Sequence, residues 1–252
     1  MSSRQLLILG GTGEARMLAE QAVSEFGTRL RVVTSLAGRT AEPVPLAGEV
    51  RRGGFGGITG LTTYLRSTGV DMLIDATHPF AAQISHHAVE AAAAAAIPRL
   101  VLARPPWQRQ PGDTWIEVDD AAAALAATLP SIRRIWLTVG RGDLAVFSGR
   151  PDLWFLVRRV DPPEEPLPLA NYGLLLGRGP FAIADERRVL AEHRIEALIA
   201  RASGGGATEA KLVAAREAGL PVIMIRRPAA PPGPQADSPA AALAWLRERI
   251  GA

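Results

Sequence analysis

Glycines stand where a phosphate-binding turn is expected. The segment Gly10-Gly11-Thr12-Gly13-Glu14-Ala15 follows an apolar run and precedes an amphipathic stretch. Glycines let the backbone turn sharply and approach a pyrophosphate, while the amides at the start of the next helix meet its charge. Arg16 takes the place of the third glycine in a G-x-G-x-x-G motif that starts at Gly11, so the match is not strict. The segment predicts a dinucleotide site; a purely structural turn is the alternative.

The end of the second predicted strand indicates which dinucleotide is bound. In NAD-binding proteins an acidic residue here accepts hydrogen bonds from the ribose 2′-hydroxyl. This chain has Thr34-Ser35 and, a few residues on, Arg39. Hydroxyls and a guanidinium suit a 2′-phosphate. They predict NADP in preference to NAD, and the alternative is that Arg39 is a solvated loop residue.

Two more loops follow predicted strands. Gly53-Gly54-Phe55-Gly56-Gly57 combines four glycines with one aromatic ring, which predicts a close backbone approach to a ligand beside the ring. A turn anchored by Phe55 is the alternative. In Asp75-Ala76-Thr77-His78-Pro79-Phe80, His78 is expected either to position a cofactor or donate a proton, or to hydrogen-bond a loop carbonyl.

The second half of the chain repeats the strand, glycine and helix pattern. Ser203-Gly204-Gly205-Gly206 leads into Thr208 and Lys211, the only lysine of the protein. Amides, hydroxyls and this ammonium predict an anion site, and a plain turn with an exposed lysine is the alternative. A less distinctive turn, Gly140-Arg141-Gly142-Asp143, follows another predicted strand.

Several function classes are excluded by what the sequence lacks. It has no cysteine, no Gly-Lys-Ser/Thr ending of a P-loop, no G-x-S-x-G and no H-E-x-x-H. Its 28 basic and 25 acidic residues form no basic block with interleaved aromatics, so nucleic acid is not expected as a partner. We expect no metal site, no membrane span and no signal peptide, and a cytoplasmic location.

The elements that must position these residues alternate between strands and helices. The fold class predicted is α/β, with two Rossmann-like three-layer domains, mostly parallel sheets and a cleft between them. The domains predicted are an NADP-binding domain over 1–106 and a substrate-binding domain over 107–252. The predicted strands are 5–10, 30–35, 50–53, 72–77 and 99–104, all buried, and then 115–118, 134–139, 153–160, 195–201 and 220–225. The predicted helices are 14–26, 58–69, 80–96, 119–129, 181–193, 207–219 and 238–250, with stiff or loop connections at 161–168 and 228–234.

Five segments together resemble the precorrin-6A reductases of cobalamin biosynthesis. They are GGTGEA, RRGGFGGITGL, DATHPFA, LTVGR and SGGGATEAK, and the resemblance runs over nearly the whole chain. It implies an enzyme that uses NADPH to reduce one carbon–carbon double bond of a tetrapyrrole bearing many carboxylates. It also implies hydride transfer to one carbon and protonation of its neighbour.

The resemblance and the turns together yield a set of candidate residues. Those expected to contact NADPH are Gly10, Gly11, Thr12, Gly13, Glu14, Ala15, Thr34, Ser35, Arg39, Gly54, Phe55, Ala76, Thr77, His78 and Pro79. Those expected to contact the substrate are Arg16, Ser203, Gly204, Gly205, Thr208 and Lys211. No general acid stands out; His78, Asp143, Lys211 and water are the candidates for the proton donor. Transient contact with neighbouring pathway enzymes is expected, and no membrane partner.

Two other functions remain open from the sequence. One is a protein that senses NADPH without turning it over, and the other is a reductase of a different small anionic substrate. A short-chain reductase would normally carry a Tyr-x-x-x-Lys pair. Neither Tyr64 nor Tyr172 has a lysine four residues on, which disfavours that class.

Overall fold

The computed structural model describes residues 3–38 and 44–251, which form two compact units. Unit 1 contains the chain up to Pro105 and again from Pro228 on, and unit 2 contains Pro106–Arg227. Each unit has one six-stranded sheet in which every strand pairing is parallel, with helices on the sheet faces. The predicted fold class, α/β with parallel sheets, is confirmed.

Unit 1 has the strand order of a dinucleotide-binding fold. Its strands are β1 (Arg4–Leu9), β2 (Leu30–Leu36), β3 (Glu49–Arg52), β4 (Met72–Asp75), β5 (Arg99–Leu102) and β12 (Gln235–Ala236). Its helices are α1 (Gly13–Phe26), α2 (Gly57–Ser67), α3 (Ala82–Ala95) and α7 (Pro239–Ile250). The sheet order is β12-β5-β4-β1-β2-β3, so the direction of winding reverses between β1 and β4.

The central strand of unit 1 shows why its sequence is a continuous apolar run. Leu6 and Ile8 point into the core beneath α1 and α7, whereas Leu7 and Leu9 point into the core beneath α2 and α3. Because successive side chains of a strand point to opposite faces, a strand covered on both sides must be apolar throughout.

The prediction that 107–252 form the second domain is wrong for the C-terminal residues. The two-residue strand β12 pairs in parallel with β5 of unit 1, with Gln235 opposite Val101. Helix α7 buries Leu246 completely in the core that also holds Leu18 of α1. The chain therefore leaves unit 1 after Pro105 and returns to it at Pro228.

Unit 2 repeats the order of unit 1. Its strands are β6 (Trp115–Val118), β7 (Arg134–Thr138), β8 (Trp154–Arg159), β9 (Tyr172–Leu176), β10 (Ala197–Arg201) and β11 (Val222–Ile225). Its helices are α4 (Ala121–Ala126), α5 (Ile183–Glu192) and α6 (Ala210–Glu217). The order is β6-β11-β10-β7-β8-β9, so β7 corresponds to β1 and β10 to β4.

Several local features of the structure differ from the predictions. Strand β3 is largely exposed, because it lies at the sheet edge and Val50 is 43% accessible. Strand β9 has no counterpart among the predicted strands. A 3-10 turn, Gly206–Thr208, precedes α6, which therefore starts at Ala210 and not at 207. A longer 3-10 segment, Arg141–Gly149, follows β7. Within the residues that the structure describes, no helix combines the length and the apolar character needed to cross a membrane.

Candidate functional site

The first glycine turn lies where the winding of unit 1 reverses. Gly10 packs directly against Thr34, since a Cβ built on Gly10 would lie 2.8 Å from Thr34 Cγ2. Gly11 has φ +106°, a conformation that favours glycine. Around Gly13 there is no atom within 4 Å of an added Cβ. The turn thus combines tight backbone packing with open space at the start of α1, as a pyrophosphate site requires.

Thr12 ties this turn to the one after β4. Its hydroxyl accepts a hydrogen bond from the amide of Ala15 at 3.1 Å and so caps α1. The same hydroxyl donates to the carbonyl oxygen of Ala76 at 2.8 Å. The side chains of Ala15 and Ala76 are both buried, so these two side chains shape the turns rather than line a surface.

Charged residues on α1 pair within unit 1. Glu14 lies 3.6 Å from Arg104, which follows β5, and both side chains are mostly buried. Arg104 therefore offsets the negative charge of Glu14 at the start of α1. Arg16, predicted as a substrate contact, pairs with Glu20 one helical turn on at 2.8 Å.

The turn after β4 is organised by Asp75, which sequence reasoning did not single out. Asp75 is 2% exposed, and its Oδ1 accepts from the amide of Thr77 at 3.1 Å and from its hydroxyl at 2.7 Å. Among the described residues its Oδ2 has no hydrogen-bond partner. The amide of Phe80 donates to Nδ1 of His78 at 3.2 Å. Through Nδ1, His78 therefore accepts a hydrogen bond from a loop amide and does not donate one to a loop carbonyl. Pro79 lies between these two residues.

A cation that the sequence analysis missed lies at the end of β3. The Arg51 guanidinium donates to Ser35 Oγ at 3.3 Å, to the carbonyl of Gly53 at 2.5 Å and to that of Gly54 at 2.7 Å. It stacks 3.8 Å from the centre of the Phe55 ring. Arg51 therefore places positive charge beside Ser35, where an acidic residue would indicate NAD.

Phe55, Thr34 and Arg39 were also predicted to contact the cofactor. Phe55 packs edge-on against Tyr64 at 5.2 Å, so the ring does anchor its loop. Thr34 is fully buried beneath Gly10, which leaves its side chain no access to a ligand. Arg39 lies outside the residues that the structure describes. The motif signal for Arg51 was present, in the Arg51-Arg52 doublet that precedes the glycines.

In unit 2, three side chains donate hydrogen bonds to backbone carbonyl oxygens of the second glycine turn. Arg227 donates to Ala202 at 3.2 Å and Ser203 at 2.8 Å. Trp107 donates its indole N–H to Gly205 at 2.8 Å, and Lys211 donates to Thr208 at 2.6 Å. Gly204 and Gly205 both have positive φ, a conformation that favours glycine, and these hydrogen bonds anchor the turn.

Lys211 is not an exposed helix lysine, so that alternative is wrong. It is 6% exposed, and its ammonium lies 4.8 Å from the centre of the Trp107 ring. Its direct contact with substrate remains a prediction, and its observed contacts hold the turn in place.

A buried carboxylate stands between cations near the same turn. Glu186, on the first turn of α5, is completely buried, and Arg158 donates through Nη1 to both its oxygens at 2.9 and 3.1 Å. Burial raises the pKa of Glu186, and the positive charges of Arg158 and Lys211 oppose that rise. Arg158 also lies over the rings of Trp136 and Phe181, at 4.5 and 3.9 Å.

The turn after β7 contains an ion pair. Arg201, the last residue of β10, donates through Nε and Nη2 to Oδ2 of Asp143 at 3.0 and 2.6 Å. Asp143, a candidate proton donor, therefore accepts hydrogen bonds at this oxygen. Over residues 3–38 and 44–251, no group of three or more His, Asp or Glu side chains is placed to hold a metal ion.

Comparisons with known proteins find matches over nearly the whole chain. A family model described as Precorrin-6x reductase CbiJ/CobK matches residues 5–247. A precorrin-6A reductase of Rhodococcus erythropolis is 49% identical over 244 residues, covering 96% of this chain and 97% of that protein. A cobalt-precorrin-6A reductase of Priestia megaterium is 30% identical over 237 residues, covering 88% and 90%. The solved structure of a CobK precorrin-6A reductase matches with a TM-score of 0.91 at 42% identity, covering 99% of this chain and 98% of that one.

Proposed function

The chain belongs to the precorrin-6x reductase CbiJ/CobK family, and from that premise we propose that it reduces precorrin-6A to precorrin-6B with NADPH. The reaction is the reduction of one carbon–carbon double bond of the macrocycle. The observation that carries this proposal is the 49% identity, over almost the full length of both chains, to a precorrin-6A reductase.

The first turn and Arg51 support NADPH as the reductant. The open space at Gly13 lies at the N-terminus of α1, where a pyrophosphate is favoured by the helix amides. At the end of β3, Arg51 and Ser35 offer a guanidinium and a hydroxyl to a 2′-phosphate. When bound, NADPH supplies the hydride for the reduction.

The substrate side of the proposal rests on unit 2. Arg158, Lys211 and Arg201 place cationic groups at the carboxyl ends of its strands or at the starts of the helices that follow. Cations there suit a substrate that bears several carboxylates. We further propose that the substrate is free of cobalt, because identity is 49% to a precorrin-6A reductase and 30% to a cobalt-precorrin-6A reductase.

His78 is the proton donor that the local geometry favours. The Phe80 amide occupies Nδ1 as a donor, so the neutral imidazole carries its own proton on Nε2. Asp143 Oδ2 accepts two N–H groups, and the Lys211 ammonium donates to a carbonyl. We propose that His78, whose hydrogen bond at Nδ1 makes Nε2 its proton-bearing atom, delivers the proton to the carbon beside the one that receives the hydride.

Anaerobic turnover tests the proposal. The purified protein is mixed with metal-free precorrin-6A and NADPH, and the absorbance of both is followed, with NADH and the cobalt-loaded substrate as comparisons. We expect equimolar NADPH oxidation and a product heavier by two hydrogens. A folded protein that oxidises no NADPH would overturn the proposal, whereas faster turnover of the cobalt form would overturn only the cobalt-free assignment.

A cytoplasmic location and transient contact with neighbouring pathway enzymes remain predictions. Cell fractionation tests the first, and cross-linking in cells that make cobalamin tests the second.

A further inference from the structure

Both units have the same strand order, which gives unit 2 a reversal point of its own. In unit 1 the winding reverses between β1 and β4, and in unit 2 it reverses between β7 and β10. In open parallel sheets, ligands bind outside the carboxyl ends of the strands at such a point. Unit 2 is therefore expected to hold a ligand between the turn after β7 and the turn after β10.

Arg201 occupies that point. It is the last residue of β10, and its Nε and Nη2 donate to Oδ2 of Asp143, in the turn after β7. The guanidinium lies against Gly140, where an added Cβ would be 2.5 Å from Nη1. The side chains of Arg201 and Asp143 are 22% and 27% exposed, so this charged group is held in place and reachable by solvent.

The backbone under Arg201 is fixed as well. Arg227 binds the carbonyls of Ala202 and Ser203, the two residues that follow Arg201. Arg227 fixes the backbone beside Arg201, and Asp143 holds its guanidinium. The Arg201 side chain therefore loses little conformational entropy when it binds an anion.

We propose that the reversal point of unit 2 binds one carboxylate of the tetrapyrrole substrate through Arg201, with Asp143 as the positioning residue. The proposal rests on the proposed function for the identity of the substrate. A guanidinium matches the planar geometry of a carboxylate. The negative charge of Asp143 favours a carboxylate over a pyrophosphate as the ligand. A pyrophosphate carries more negative charge, so Asp143 would repel it more strongly. The segment after β7 is also a 3-10 helix and not the α-helix that follows β1.

Variants of Arg201 test this in the full-length protein. Binding of precorrin-6A without reductant is measured anaerobically by quenching of tryptophan fluorescence, and kinetics with NADPH give both KM values. We expect Arg201→Ala to raise the Kd and KM for precorrin-6A roughly tenfold or more. Arg201→Lys should lose less affinity, and the KM for NADPH should change less than twofold, roughly. Arg150→Ala, which removes a similar exposed ion pair with Asp152, is the matched control and should change neither.

Gly140→Ala keeps the charge but displaces the guanidinium, and Asp143→Asn removes its partner. Gly140→Ala should raise the KM for precorrin-6A as Arg201→Ala does, and Asp143→Asn should raise it by a smaller factor with kcat nearly unchanged. The Gly140→Ala variant keeps the test valid should Arg201→Ala unfold.

Three outcomes would contradict the proposal. Arg201→Ala that binds precorrin-6A like the wild type overturns this site alone. A rise in the KM for NADPH instead assigns the site to the cofactor. A wild-type protein that binds no precorrin-6A overturns both this site and the proposed function.

Discussion

The hydroxyl of Thr12 donates to the carbonyl oxygen of Ala76 at 2.8 Å, which joins the turns after β1 and β4. The hydroxyl oxygen of Thr12 also accepts from the Ala15 amide, so the start of α1 and the turn after β4 are fixed relative to each other. Through these two hydrogen bonds to the backbone, the Thr12 side chain fixes the turns that border the open space at Gly13.

Gly13→Val should abolish NADPH binding and leave the fold intact. The added side chain meets no protein atom within 4 Å at its Cβ, and so it fills the space that we assign to the pyrophosphate. Fluorescence titration measures binding, and circular dichroism with thermal melting measures folding. Gly149→Val is the matched control, because its Cβ also meets nothing within 4 Å but lies in unit 2. Normal NADPH binding by Gly13→Val would make the turn structural only.

Arg51→Ala should weaken NADPH binding about tenfold or more and NADH binding little, because one charge-assisted contact to the 2′-phosphate is lost. Isothermal titration with both nucleotides measures the ratio. Its exposed neighbour Arg52 provides the control, since Arg52→Ala removes the same charge from the next position. An unchanged NADPH to NADH ratio in Arg51→Ala would remove this residue from the cofactor site.

Glu186→Gln should change how stability depends on pH. Burial raises the pKa of Glu186 above its ordinary 4.5, so the folded protein holds this proton more tightly than the unfolded chain does. Its contribution to stability is therefore fully present below 4.5 and is lost as pH rises through the raised value. The glutamine cannot ionise, and so the wild type should lose stability relative to Glu186→Gln over that window.

Urea unfolding of both proteins from about pH 4 to about pH 8 measures this difference in stability, in which the other carboxylates cancel. If the wild type instead gains stability over the variant as pH rises, the ion pair with Arg158 outweighs burial, and the pKa of Glu186 is lowered by folding.

Leu246→Ala should destabilise unit 1, although it lies near the C-terminus. Leu246 is fully buried in the core shared by α1 and α7, and such truncations cost about 2 to 5 kcal/mol. Hydrogen exchange should then speed up in β1 and β2 but not in β7 and β8. Leu198→Ala, fully buried in β10, should give the opposite pattern. Faster exchange in unit 2 with Leu246→Ala would contradict the assignment of α7.

Most elements were predictable because they are long and regularly patterned. The central strands are apolar on both faces, and Thr12 and Ser238 cap helices as their residue types predict. The return of the chain to unit 1 was not predictable. It depends on a two-residue strand after a proline-rich segment, and the apolar stripe of α7 does not indicate which sheet it covers.

The site was predictable where glycines mark backbone turns and not where side chains converge from distant segments. Asp75 was within a motif, but only its burial distinguishes it from any strand-end residue. Arg201 and Asp143 are 58 residues apart in sequence, and only the parallel pairing of β7 with β10 brings them together. Lys211 was singled out as the only lysine, whereas its burial against Trp107 depends on a residue far away in the chain.

Deuterium transfer tests the central claim most directly. The protein is incubated anaerobically with metal-free precorrin-6A and NADPH labelled with deuterium on either face of the nicotinamide C4, and the tetrapyrrole is analysed by mass spectrometry. We predict one deuterium in the product from one of the two labelled forms and none from the other. Product without deuterium from either form, or deuterium that enters only from heavy water, would contradict hydride transfer from NADPH to the macrocycle.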